Sequence, residues 1–261
     1  MITRRYANCR DGQVHLREAG PIAAPVIAFY HQTASSGVMF EKVMKQLADR
    51  YRCLSFDSPG FGQSYQPDTI PDLSYVCDRL MEAISDLGID RFHVCGHHTG
   101  GCAAIEMPSR HPGRLLSLTL IGPVLVNDVE KAEYRKIFVE PFKVERSGAF
   151  LQTAWDYLNM IGAGHDLELH RRELVDHLIG HRTMPMAFNA VWDQDVEGFF
   201  LRLDVPLHIM CSRDDVLWPL FERACEMRPD ATQSIVGGAD FQPDRDPQGV
   251  ATGLADFIAG L

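Results

Sequence analysis

The chain has 261 residues, a formal charge of −10 and 46% hydrophobic side chains, enough apolar material for one large domain with a substantial core. The acidic balance argues against nucleic acid or an anionic membrane as the main partner, and no run approaches the ~20 apolar residues of a membrane span. The N-terminal Met1-Ile2-Thr3-Arg4-Arg5-Tyr6 has no apolar leader core, so a cytoplasmic protein is expected.

Val14 to Glu18 alternates apolar and polar, which predicts an early strand. Val26 to Tyr30 is a continuous apolar run, as in a strand buried on both faces. It ends in the polar loop His31-Gln32-Thr33-Ala34-Ser35-Ser36. Phe40, Val43, Met44 and Leu47 then recur at helical spacing. Tyr51 to Phe56 predicts another strand, delivering Asp57-Ser58-Pro59-Gly60-Phe61-Gly62-Gln63-Ser64, a turn punctuated by Pro and Gly. Asp57 and Ser64 read as caps that hold this turn. Val76, Leu80, Ile84 and Leu87 mark a helix stopped at Gly88.

The next stretch organises the rest. A short strand, Phe92 to Cys95, runs into Gly96-His97-His98-Thr99-Gly100-Gly101, and a helix follows from Cys102 to Arg110, with Pro108 expected to kink it or end it early. Strand, Gly-flanked sharp turn and helix is the setting in which a central residue is held on a strained turn. Leu115 to Ile121 predicts a further strand. From Val124 to Leu203 helical periodicity takes over, which predicts a helical insertion over the strand ends. Alternation then resumes with strands at Leu207 to Cys211 and Ser234 to Val236, and helices at Leu220 to Met227 and around Val250, Leu254, Phe257 and Ile258. Strands alternating with helices predict an α/β fold with a mostly parallel sheet covered on both faces. In such sheets function gathers at the carboxyl ends of the strands. The seven cysteines are odd in number and widely spaced, without Cys-x-x-Cys, and read as free thiols in a reducing compartment.

Along nearly its whole length the chain resembles the α/β-hydrolase family. His31-Gln32-Thr33 is similar to the family's oxyanion-hole loop, Asp57 to Ser64 to its Asp-x-x-Gly-x-Gly-x-Ser turn, and Gly96 to Gly101 to its Gly-x-Ser-x-Gly elbow. Ser212 to Pro219 resembles the acid-bearing segment, with Asp215 as the acid. Gly238-Ala239-Asp240-Phe241 resembles the segment carrying the catalytic histidine. The resemblance implies a core of residues 1–123 and 204–261 with a helical cap at 124–203. It also implies departures. His98 stands at the nucleophile position and Asp240 at the histidine position, so the Ser–His–Asp step cannot run there.

A carboxylate holding an imidazole makes a general base near neutral pH. The expectation is therefore a His98–Asp240 pair, with Asp215 near Asp240 so that one carboxyl stays protonated. The backbone N–H groups of Thr99 and of Gln32 or Thr33 would face a developing oxyanion. Asn127 and Asp128 form an alternative acid position. The reaction expected is proton transfer on a small, largely apolar carbonyl compound, of lyase, isomerase or cyclase type, without cofactor or metal, in a monomer or homodimer. A binding protein, and a hydrolase with its nucleophile moved to Ser35, Ser36, Ser58 or Cys95, stay open. The apolar wall is expected from Phe138, Phe142, Trp155, Met160, Met184, Met186, Phe188 and Trp192, the methionines being adaptable. His97 is read as packed against a neighbouring loop, and His177 and His181 as an exposed polar stripe.

Overall fold

The computed structural model describes residues 1–138 and 144–261. Among them, eight strands form one sheet: β1 (Thr3–Cys9), β2 (Gly12–Ala19), β3 (Val26–Tyr30), β4 (Arg52–Phe56), β5 (Phe92–His97), β6 (Leu115–Ile121), β7 (Leu207–Ser212) and β8 (Thr232–Val236). Their order across the sheet is β1-β2-β4-β3-β5-β6-β7-β8. β2 is antiparallel to β1 and to β4, and every other pair is parallel. This is the α/β-hydrolase arrangement the sequence implies.

The helices are α1 (Glu41–Leu47), α2 (Leu73–Asp86), α3 (Thr99–Arg110), α4 (Asp128–Phe138), α5 (Ala149–Met160), α6 (Leu167–Gly180), α7 (Met184–Asp193), α8 (Val196–Leu201), α9 (Trp218–Met227), α10 (Gln242–Arg245) and α11 (Pro247–Ala259). They cover both faces, which is why β3, β4, β5 and β7 are buried at every residue. Period-two alternation sorts their side chains. Ala28, Leu54, Val94 and Ile209 join the larger core with α2 and α3; Ile27, Cys53, Cys95 and Met210 join a second core with α1 and α11.

Two local expectations change. The sequence gives no sign of β1, because this edge strand is mostly exposed and carries no apolar alternation. Pro108 does not stop α3 early: the helix runs on to Arg110, and the proline, in its last turn, forgoes the one N–H bond that would reach the Ala104 carbonyl.

Between β6 and β7 the described residues form α4 to α8 and no strand. α5 and α6 share a small apolar cluster with Phe241, built on Leu158, Ala163 and Leu169. α7 and α8 instead send Val191, Trp192, Val196 and Phe200 into the main core. No described helix is long and apolar enough to cross a membrane.

Candidate active site

β5 ends at His97, and the chain turns sharply into α3 through His98, whose backbone sits at φ 46°, ψ −114°. A non-glycine residue there is strained, which marks a position held for use. The flanking glycines make the turn possible. A Cβ at Gly96 would stand 2.6 Å from the Gly101 backbone, and one at Gly100 would stand 2.3 Å from the Tyr30 carbonyl oxygen.

The ring of His98 does not reach Asp240. Its Nε2 lies 2.9 Å from Oδ2 of Asp215, a carboxylate with no solvent exposure. The expected His98–Asp240 pair is thus replaced by His98–Asp215. An imidazole is longer than a serine hydroxyl, so from the elbow it spans directly to the acid after β7. Asp240 lines the same cavity, its Oδ1 accepting the Val216 N–H at 3.1 Å.

Asp215 is over-determined. Oδ1 accepts the Leu217 N–H at 2.7 Å, and Oδ2 also accepts the Gln242 amide at 2.5 Å. The Gln242 carbonyl in turn accepts Nε2–H of His97 at 2.6 Å. This chain of donors fixes both rings. An ionised carboxylate only accepts, so His98 carries its proton on Nε2 and keeps the lone pair on Nδ1. His97 is buried and lies flat on His98, with centroids 4.2 Å apart and planes 11° apart. It packs, as expected, but against its neighbour's ring and Gln242.

The charges follow. Burial would raise the Asp215 pKa, but the charge and hydrogen bond of His98 hold it down at about 2. Burial would lower His98, yet Asp215 and then Asp240 raise it above the ordinary histidine value. Asp240 rises to about 6, mainly through burial, with the Asp215 charge adding. His97 stays neutral because burial, and then the charge of His98, depress it. The two carboxyls therefore titrate apart, but burial rather than the neighbouring carboxylate is the main cause, and Asp240 is not held protonated at neutral pH as expected.

A cavity of ≈ 210 Å³ opens on this site. Gln32, Thr33, Thr99 and Trp192 line it with His98 and Asp240. The Thr33 N–H, however, donates to Thr99 Oγ1 at 2.7 Å, so it is not available to an oxyanion. Thr99 begins α3, where an N–H has no partner within the helix. His31 lies behind the wall. It accepts the Ser58 N–H on Nε2 at 2.9 Å and donates from Nδ1 to the Gln32 carbonyl at 2.7 Å, so it shapes the loop rather than touching a ligand.

Of the expected apolar wall, Met160, Phe188 and Trp192 line the cavity, joined by Tyr134, Tyr157 and Ile161. Trp155 does not, because it stacks on His170 at 3.5 Å. Met184 and Met186 pack elsewhere in the main core. Phe142 and the side chain of Phe138 lie outside the described residues. Asn127 caps the start of α4 with its side chain, and Asp128 pairs with Lys131, so neither lines the cavity.

Among the described residues no serine or cysteine lines the cavity. Ser35 and Ser36 are buried, donating to Glu173 at 2.9 Å and Asp176 at 2.8 Å. Asp57 takes the Gly37 and Gln63 N–H groups and pairs with Arg17, which confirms it as the keeper of its turn. His97, His98 and Asp215 bring ligand-type atoms within 4.8 Å of one another, with His98 Nε2 and Asp215 already hydrogen-bonded to each other. The described cysteines are all free thiols.

A family model described as alpha/beta hydrolase fold matches residues 25–234. The chain belongs to the α/β-hydrolase fold family. Among its relatives in that family is RutD of Caulobacter vibrioides, named for carbamate hydrolysis, 29% identical with 96% of each chain covered. RutD of Caulobacter sp. strain K31 is 26% identical over 96% of this chain and 97% of the relative. Similar solved structures include a hydrolase from Pseudomonas aeruginosa PA01, with TM-score 0.83, 19% identity and 98% of each chain covered. An enol-lactonase from Burkholderia xenovorans LB400 aligns with TM-score 0.78 at 16% identity, over 98% of this chain and 100% of the other. These structures bear on the fold alone.

Proposed function

We propose that this α/β-hydrolase-fold protein is a hydrolytic enzyme that works without a side-chain nucleophile. His98, backed by Asp215, takes a proton from water, and the water oxygen attacks the carbonyl carbon of a small, largely apolar substrate. The observation that carries this reading is the Nε2 contact with Asp215, which leaves the lone pair on Nδ1 of a ring that lines the cavity. The relatives named for carbamate hydrolysis favour hydrolysis over lyase or isomerase chemistry.

The proton moves onto Nδ1 as the C–O bond forms, and Asp215 stabilises the resulting imidazolium. The Thr99 N–H, with Gln32 beside it, faces the carbonyl oxygen as it gains charge. When the bond to the leaving group breaks, the imidazolium returns the proton to that group. Residues 124–203 act as a cap that keeps bulk water from the site.

The test is turnover of 4-nitrophenyl carbamate with intact-protein mass spectrometry under steady state. Hydrolysis with no added mass on the protein, lost in His98→Ala, is the expected result. A covalent adduct, or turnover untouched by His98→Ala, overturns the proposal. The same base could serve proton transfer at carbon, and deuterium uptake into recovered substrate without hydrolysis would favour that second reading.

A further inference from the structure

The cavity has a second imidazole. His177 was expected on an exposed stripe, but it is buried and lines the cavity wall from α6. The inward face of α6 is Leu169, His170, Glu173, Asp176, His177 and Gly180, so a polar stripe faces the protein. Nδ1 of His177 lies 3.0 Å from the Glu173 carbonyl oxygen. A carbonyl only accepts, so the proton sits on Nδ1 and Nε2 keeps its lone pair. Among the described residues the ring makes this one hydrogen bond, through Nδ1, and none through Nε2.

We propose that His177 is a specificity-determining residue whose Nε2 accepts a hydrogen bond from an N–H or O–H group on the substrate. The ligand class is then a carbonyl compound carrying such a donor away from its reacting carbon. Burial holds the ring neutral, so it acts as an acceptor and not as a cation.

The ring is held in place from two sides. Ser35 and Ser36 bind Glu173 and Asp176 on the turn of α6 before it. Arg172 grips Asp244 of α10 at 2.6 and 2.9 Å, and α10 also carries Gln242, the donor to Asp215. The wall that would recognise the donor is therefore fixed to the segment that orients the acid. Much of the remaining lining is apolar, including Met160, Ile161, Phe188 and Val216. A ligand without a donor would leave the Nε2 lone pair dry and unpaired, which is the stronger form of discrimination. His177 also borders a second cavity of ≈ 230 Å³, with Phe150, Ala154 and His181 among its other walls.

This inference rests on the cavity being the substrate site, but its test does not require turnover. Dissociation constants for phenol and fluorobenzene, similar in size but only one a donor, are measured by titration NMR on wild type, His177→Phe, His177→Gln and His98→Ala. The phenol-to-fluorobenzene preference should fall roughly fivefold in His177→Phe, the size of one neutral hydrogen bond. It should be largely kept in His177→Gln, whose amide oxygen can replace the lone pair, and in His98→Ala. A preference unchanged in His177→Phe, or one lost only in His98→Ala, overturns the proposal while leaving the general base intact. Failure of wild type to bind either probe overturns both readings.

Discussion

The side chain that Gly122 lacks and the ring of His98 would occupy the same space. A Cβ on Gly122 would stand 2.4 Å from both Cδ2 and Nε2 of His98, and 3.0 Å from Oδ2 of Asp215. Gly122 also has φ +57°, a conformation that side chains resist. The gap after β6 is what lets an elbow imidazole lean back onto the acid after β7.

Gly122→Ala should therefore uncouple His98 from Asp215. The expected loss is at least 100-fold in kcat/KM, approaching that of His98→Ala, with about 1–3 kcal/mol of destabilisation from overpacking. Steady-state kinetics and urea unfolding check this. Wild-type kinetics in Gly122→Ala would show that the His98–Asp215 contact is not needed.

The pH profile gives a second check. A general base acts when unprotonated, so kcat/KM should rise with pH through an ionisation above the ordinary histidine value of 6.5. Asp215→Asn removes the charge that raises it, so the rising limb should move to lower pH while the plateau falls by roughly 10²–10⁴. A limb that stays in place in Asp215→Asn would mean that another group titrates.

Asp240 should make the protein less stable at neutral pH. Its pKa is 3.8 unfolded and about 6 folded, so the folded state prefers the protonated carboxyl. No penalty exists below pH 3.8. It grows between the two values and is complete above about 6, where it is worth about 3 kcal/mol. Asp240→Asn, which keeps an oxygen for the Val216 N–H, should raise the unfolding temperature by several degrees at pH 7.5 and leave it nearly unchanged at pH 4. Equal shifts at both values would remove burial of the charge as the cause.

Gln242 holds Asp215 and His97 together. Gln242→Leu leaves the His97 N–H and one lone pair of Asp215 unpaired inside the protein, at a cost of about 1–3 kcal/mol. Calorimetry should show the lowered transition. Long-range ¹⁵N–¹H spectra should show His97 losing its single tautomer.

Most of the sheet could be read from the sequence, because a doubly covered strand such as β3 is apolar throughout. β1 could not, since an exposed edge imposes no pattern. At the site, the residues that meet were legible as motif positions, but the pairing was not. Motif spacing places Cα atoms; whether the His98 ring turns toward Asp215 or Asp240 depends on the void above Gly122, a fact of packing. His177 was misread for a related reason. Helical patterning assumes that the polar face is the wet one, and α6 buries its polar face by giving Glu173 and Asp176 serine donors. Gln242 carried no signal at all, as an amide bridging two buried groups looks like any other glutamine.

The strained turn at His98 presents a nitrogen heterocycle where relatives with the common motif present an alcohol. Fluorophosphonate probes, which capture proteins of this fold by phosphonylating that alcohol, should therefore pass this one by. A survey relying on such reagents would miss this member of the fold family.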